Sequence, residues 1–254
     1  MDIRAYNREA WNKYVDEGQS EWTKPVSAEI IAKARNGDFE ILLTEQKPVP
    51  RDWFPPLKGL DTLCLACGGG QQGPVLAAAG ANVTVFDNSP RQLDQDRFVA
   101  EREGLAIRLV EGDMRDLSDF ADESFDFIFH PVSNLFIHEI QPVWREAYRV
   151  LRHGGTMLAG FNNPLLYIFD WEKAERGVME VKYKLPYADS DHPEVAAKLM
   201  AEGNALEYSH TLTDQLGGQM DAGFHIIAMY EDYHSDTAVS EYTPTYMATR
   251  ALKP

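Results

Sequence analysis

A chain of 254 residues with 44% hydrophobic and 25% charged side chains has the make-up of a globular protein, long enough for one large α/β domain with additions. No run approaches the ~20 apolar residues that cross a bilayer, and residues 1–19 are charged where a secretory leader would be apolar, so no membrane segment and a cytoplasmic location are expected. A net charge of −16 repels phosphate backbones and anionic headgroups, which need Lys and Arg to displace their counterions, and this favours a small molecule over nucleic acid as partner.

Residues 1–59 show helical periodicity at 6–15 and 27–35, the second closed by Asn36-Gly37, and are read as an N-terminal helical cap. From residue 60 to 161, apolar runs of strand length alternate with helical segments, the signature of βαβ units. Strands are predicted at 62–66, 82–86, 106–110, 125–129 and 156–161, each apolar enough to be covered on both faces. The helices predicted at 74–79 and 90–103 have proline near the start and Gly80 or Gly104 just past the end. A third helix, at 141–151, sets Val143, Trp144, Ala147, Tyr148 and Leu151 on one face. The spacer 115–124 is short and acidic.

Residues 162–207 are polar and mixed, with a strand predicted at 178–184 and a helix at 193–202, and are read as a substrate-side insertion. Residues 208–254 are regular again, with a helix at 213–222 closed by Gly223 and strands at 224–230 and 246–252. The loop between these last strands holds no crossover helix, so they are predicted to form an antiparallel hairpin at the sheet edge. The fold class that follows is a doubly wound, mostly parallel sheet in a three-layer α/β/α arrangement.

After the first predicted strand the chain reads CLACGGGQQG, which places Gly68, Gly70 and Gly73 where a strand turns into a helix. Glycine there lets backbone N–H groups approach a ligand without a Cβ in the way. Asp87, 19 residues after Gly68, closes the second strand, where a carboxylate accepts both hydroxyls of an adenosine ribose. These features alone suit a nicotinamide cofactor and an oxidoreductase as well as S-adenosylmethionine. The two cysteines, Cys64 and Cys67, have no second pair and no histidine group to complete a zinc site. Cys64 also falls in a strand rather than at a helix start, so a redox dithiol is not expected.

The wider context resembles the class I, seven-stranded S-adenosylmethionine-dependent methyltransferases, especially their small-molecule members. VTVFDNS is similar to that family's second motif, EGDMRDL to its third, SFDFIFHPVSNLFIHEI to its fourth strand and following loop, and VLRHGGTMLAG to its turn into the fifth strand. The resemblance implies S-adenosylmethionine as cofactor. It further implies a binding wall of Ala66, Cys67, Gly68, Gly69 and Gly70 in the first turn, with Asp87, Asn88, Ser89 and Gln92 at the second. Gly112, Asp113, Met114 and His130 complete it, Asp113 meeting the adenine amino group and Met114 its ring.

The family's first motif reads acid-x-Gly-x-Gly-x-Gly, and two positions depart, Cys64 for the acid and Ala66 for the first glycine. The methionine end of the cofactor then needs another partner, and Arg51, Tyr6, Trp11 and Trp53 of the cap are the candidates, arginine as a carboxylate clamp and the rings as cation faces. If the acceptor must lose a proton, His138 is the first candidate base and His130 the second. A non-catalytic nucleoside-binding module is the remaining alternative. No metal is expected.

Overall fold

In β1 (Asp61–Leu65), Leu63 and Leu65 point to one side and Cys64 to the other, and all three are fully buried, so the strand needs cover on both faces. The computed structural model, which describes residues 2–18 and 20–254, provides it; Met1 and Gln19 of the predicted cap lie outside the described residues. β2 (Asn82–Asp87), β3 (Ile107–Glu111), β4 (Phe125–His130) and β5 (Leu151–Asn162) join β1 in parallel. β6 (His225–Asp232) and β7 (Tyr246–Leu252) complete a seven-stranded sheet of order β3-β2-β1-β4-β5-β7-β6. The antiparallel pair expected at the edge is present, with β7 inserted between β5 and β6.

Helix boundaries follow local capping. α1 (Ile3–Glu17) begins where the Asp2 carboxylate accepts from the Ala5 amide and ends at Gly18, φ 64°. α2 (Ala28–Arg35) and α3 (Gln72–Ala78) cover one face with α4 (Pro90–Glu103), which the Ser89 hydroxyl caps and Gly104 closes. Ile31, Val75, Leu76 and Val99 there pack on Cys64, Val83, Val85 and Phe127. On the opposite face, the stripe Val143, Trp144, Ala147 and Val150 of α5 (Gln141–Val150) meets Leu63, Leu65, Ile128 and Met157. The segment after β5 holds the single turn α6 (Trp171–Ala174) and α7 (Pro193–Glu202), and α8 (Gly218–Ala222) precedes β6.

Three expectations are corrected. The strand predicted at 178–184 does not form: one bridge joins Val181 to Phe169, Val178 and Val181 are exposed, and Met179 packs instead against Leu166, Ala174 and Val239. The helix predicted at 213–222 opens as a π-turn over Thr213–Gly217, where the Trp144 indole N–H donates to the Asp214 carbonyl at 3.0 Å and takes an acceptor from the helical ladder. β5 starts at Leu151, opposite Phe125, and resumes at Thr156 opposite Phe127 after the chain loops outward at Gly154, φ 79°. Among the described residues, no helix is long and apolar enough to cross a membrane.

Candidate active site

Open α/β sheets bind ligands beyond the carboxyl ends of their strands, where the strand order reverses. Here the reversal falls between β1 and β4. Ala66, Asp87, Gly112, Pro131 and Asn162 stand at or just past the ends of β1 to β5, and all five line one cavity of about 810 Å³. That volume lies within the range of cofactor-sized sites.

On the side of β1 and β2 the wall is tight backbone. The Gly68 amide donates to Asp87 Oδ2 at 2.9 Å and the Ser89 amide to Oδ1 at 2.8 Å, while burial pushes the Asp87 carboxyl above its ordinary value against the pull of these donors. A Cβ on Gly68 would come within 2.7 Å of Gln92 Cβ and 3.1 Å of the Asp87 carboxylate. A Cβ on Gly112 would overlap the Phe86 ring, 2.6 Å from Cε2. Ala66 takes the left-handed conformation, φ 49°, with its amide donating to the Phe86 carbonyl at 2.8 Å. The backbone of the family's glycine is thus kept with an alanine in place.

The next two amides turn inward: Gly69 and Gly70 donate to Asp96 Oδ2 at 3.0 and 3.2 Å. Asp96 is fully buried, and its carboxyl is pushed up to about 8 by that burial, the two N–H bonds opposing it. Its other oxygen, Oδ1, is buried without a partner, as is Gln92 Oε1 one helical turn away.

The cap closes over this half. α1 lays Arg4, Asn7, Trp11 and Tyr14 on the cavity wall at steps of three and four. Arg4 Nε donates to Asn88 Oδ1 at 2.9 Å. Trp22 reaches the glycine turn, where the Val26 amide donates to the Gly70 carbonyl at 2.9 Å and Gln71 Nε2 donates to the carbonyls of Glu21 and Lys24. The third-motif carboxylate Asp113 is gripped by Arg115, with Nη2 to Oδ2 at 2.6 Å, and lies 3.6 Å from Arg4. Burial would raise Asp113, but the arginine bonds prevail and hold it below its ordinary value.

Across the cavity the wall is made of side chains. Asn162 Nδ2 donates to the Tyr167 hydroxyl at 3.0 Å, and Tyr167 donates to Glu207 Oε2 at 2.8 Å. Tyr187 donates to Asp189 Oδ1 at 2.7 Å, and the Glu207 amide to Asp189 Oδ2 at 2.7 Å. The rings of Tyr167 and Tyr187 stack with centroids 5.7 Å apart. α1 holds this wall too: Asn7 exchanges two bonds with the Leu206 backbone, and the Ala205 amide donates to the Tyr14 hydroxyl at 2.8 Å.

Of the predicted cofactor residues, Ala66, Cys67, Gly68, Asp87, Asn88 and Gln92 come together on the cavity wall with Gly112, Asp113, Met114 and Trp11. The others do not line it. Gly69 and Gly70 spend their amides on Asp96, and Ser89 caps α4 and donates to Asn12 at 2.8 Å. Arg51 lies over the Phe39 ring and donates to the Gly37 carbonyl, and Trp53 is core against Tyr230. Tyr6 donates to the Asn204 carbonyl behind the wall.

Neither candidate base lines the cavity. His130 is fully buried between the Leu65 carbonyl and Asn134, and burial lowers its basicity. His138 is exposed and edge-on to Tyr208, next to the lining residue Ile137. Tyr14, another ring of the cap that could shield a cation, is on the wall, and so are Arg4 and Asn7, which no motif marks although their spacing shares its helix face. The sequence reading passed over Tyr167, Tyr187 and Glu207, for which no motif gives a signal.

The residues present suit an adenosine-bearing cofactor. Gly68 and Gly112 bring bare backbone to the cavity wall where no Cβ fits, Gln92 offers a buried acceptor without a donor, and Asp87 stands at the tip of β2. Fold and site together define a Rossmann-like methyltransferase of the seven-stranded type.

Comparison with known proteins agrees. Residues 63–159 match the family described as "Methyltransferase domain". The chain is 53% identical over 251 residues to the "Uncharacterized methyltransferase YbaJ" of Bacillus subtilis, covering 98% of both. A sterol 24-C-methyltransferase, erg-4 of Neurospora crassa, is 27% identical over 186 residues, which is 71% of this chain and 42% of that protein. An S-adenosylmethionine-dependent methyltransferase structure from Mesorhizobium loti superposes with a TM-score of 0.61 at 19% identity, over 80% of this chain and 94% of that one. The chain belongs to the class I S-adenosylmethionine-dependent methyltransferases.

Proposed function

We propose that this enzyme methylates a small-molecule acceptor held in the half of the cavity formed by residues 162–207. The observation that supports this most is continuity: the cavity walled by Asp87, Gly112 and Asp113 is the same one walled by Tyr167, Tyr187 and Glu207. Donor and acceptor would share one enclosed volume. A net charge of −16 also argues against a nucleic-acid acceptor.

Asp87 and the turn from Ala66 to Gly68 would hold the ribose, with Gly112, Asp113 and Met114 along the adenine. Arg4 is the one arginine on the wall among the described residues, and it sits beside Asn88 and Asp113. Bound there, S-adenosylmethionine supplies an activated methyl carbon with an excellent leaving group, so the protein's own contribution is chiefly to align the acceptor. No observation favours the nicotinamide alternative.

Calorimetric titration tests the donor site. S-adenosylhomocysteine is expected to bind and NAD to give no heat. Asp87→Asn keeps an acceptor for the Gly68 amide and removes the charge that the ribose hydroxyls meet, so it should weaken S-adenosylhomocysteine by about 1–2 kcal/mol. Tight NAD binding with no response to S-adenosylhomocysteine would overturn the proposal.

A further inference from the structure

The far half of the cavity is rich in acceptors and short of donors. Glu207 and Asp189 stand there with the rings of Tyr167 and Tyr187. The wall's two lysines are already committed, Lys182 to Asp170 at 2.9 Å and Lys198 to Glu172 at 2.5 Å. Among the described residues, no basic side chain forms an ion pair with Glu207. The hydrogen-bond chain has a direction: Asn162 donates to Tyr167 and Tyr167 to Glu207. Its protons are spent on internal partners, and Asn162 is left with a buried carbonyl oxygen that no donor meets.

Carboxylates and π faces, with no basic side chain paired to Glu207, match a group that is positively charged and made only of donors. We infer that the methyl acceptor is an amine, bound as its ammonium against Glu207 and the rings of Tyr167 and Tyr187, with Glu207 taking the proton that frees the nitrogen lone pair. This rests on the donor site proposed above.

The steps balance. One N–H bond breaks and one O–H bond forms on Glu207, leaving a neutral amine. Its lone pair then makes the N–C bond as the donor's C–S bond breaks with its electrons on sulfur, and the product is a methylammonium ion. The environment fits the proton transfer. Burial, with the charge of Asp189 adding to it and the Tyr167 bond opposing, pushes Glu207 up to about 7, where a carboxylate takes and returns a proton at neutral pH. An anionic acceptor would meet the same carboxylates and be repelled.

The test uses the intact chain and two probes of matched size, benzylamine and benzyl alcohol. At pH 8, benzylamine is expected to bind at least tenfold more tightly. Its affinity should fall as the pH drops through about 7, because Glu207 is protonated while the amine stays cationic. Asp189, Tyr14, Tyr167, Tyr187 and Tyr246 also face Glu207, and His192 lies beyond Asp189. The variant isolates the carboxylate from them: Glu207→Gln should erase both the preference and its pH dependence. Tyr167→Phe removes one ring hydroxyl, leaves the carboxylate, and should weaken benzylamine about threefold, which keeps the test open if the first variant does not fold.

Equal affinity for the two probes, no binding of benzylamine, or a preference that survives Glu207→Gln would each overturn the inference. S-adenosylhomocysteine is titrated in the same samples. Its failure to bind the unaltered protein would sink the donor site alone, whereas its normal binding alongside equal probe affinities would sink the amine alone.

Discussion

The two halves of the cavity are built by different means. Around the glycine turn, the amides of Gly68, Gly69 and Gly70 are each fixed on a carboxylate of β2 or α4, and at Gly68 and Gly112 there is no room for a Cβ. Across from it, Tyr167, Tyr187 and Glu207 hang on a segment with little regular structure, tied back to α1 by side-chain bonds. On the proposed assignment, a ligand common to a whole family would be met by backbone that leaves little freedom for substitution, and the variable ligand by side chains that can be exchanged without disturbing the sheet.

The contrast is broken most directly at Gly112. Gly112→Ala would drive a methyl into the Phe86 ring and should cost about 3 kcal/mol by overpacking, lowering the melting temperature by roughly 6–12 °C. An unchanged melting curve would mean that the rigid half yields as easily as the other. The next effect depends on pH. Asp96 has a folded-state value near 8 against 3.8 unfolded, so the folded state holds this proton more tightly and the stability it confers is lost as pH rises through 8. Asp96→Asn keeps the acceptor for both glycine amides and removes the titration. Relative to the unaltered protein, it should gain at least about 1 kcal/mol in urea unfolding between pH 5 and pH 8.5. Glu207 and Asp87 are raised in the same sense and remain in both proteins, so the difference reports Asp96 together with its coupling to Asp87. The smallest effect is at Ala66, where glycine would relieve a left-handed alanine at the expense of a more flexible unfolded chain. Ala66→Gly should stabilise by about 0.5 kcal/mol, and a loss of stability would show that the Ala66 methyl is needed for packing.

Much of the rigid half was legible because its chemistry is written into backbone requirements. A glycine turn after an apolar run, an acid at the next strand's end and proline-to-glycine helix limits each leave a local trace, as Gly68, Asp87 and Pro90 to Gly104 show. Asp96 left none, since an acid in a helix reads as surface until the fold turns it toward Gly69. The other half escaped for a different reason. Tyr167 and Glu207 meet only because residues 40 apart fold back on each other, and no local period encodes that. Arg51 and Trp53 were misplaced because residue type was weighed without direction, whereas Arg4, Asn7, Trp11 and Tyr14 share one helix face. Tyr6, between them in sequence, sits one step around the helix and misses the wall.

The contacts of α1 carry a consequence for the order of assembly. Tyr6 and Asn7 find their partners 198 and 199 residues further along the chain. Closing loops of that length costs entropy that is recovered only when both ends are structured. α1 is therefore expected to settle last, after the segment around Asn204 to Leu206 has emerged. A chain interrupted before that point would carry the glycine turn, Asp87 and Asp113 and still lack a closed chamber.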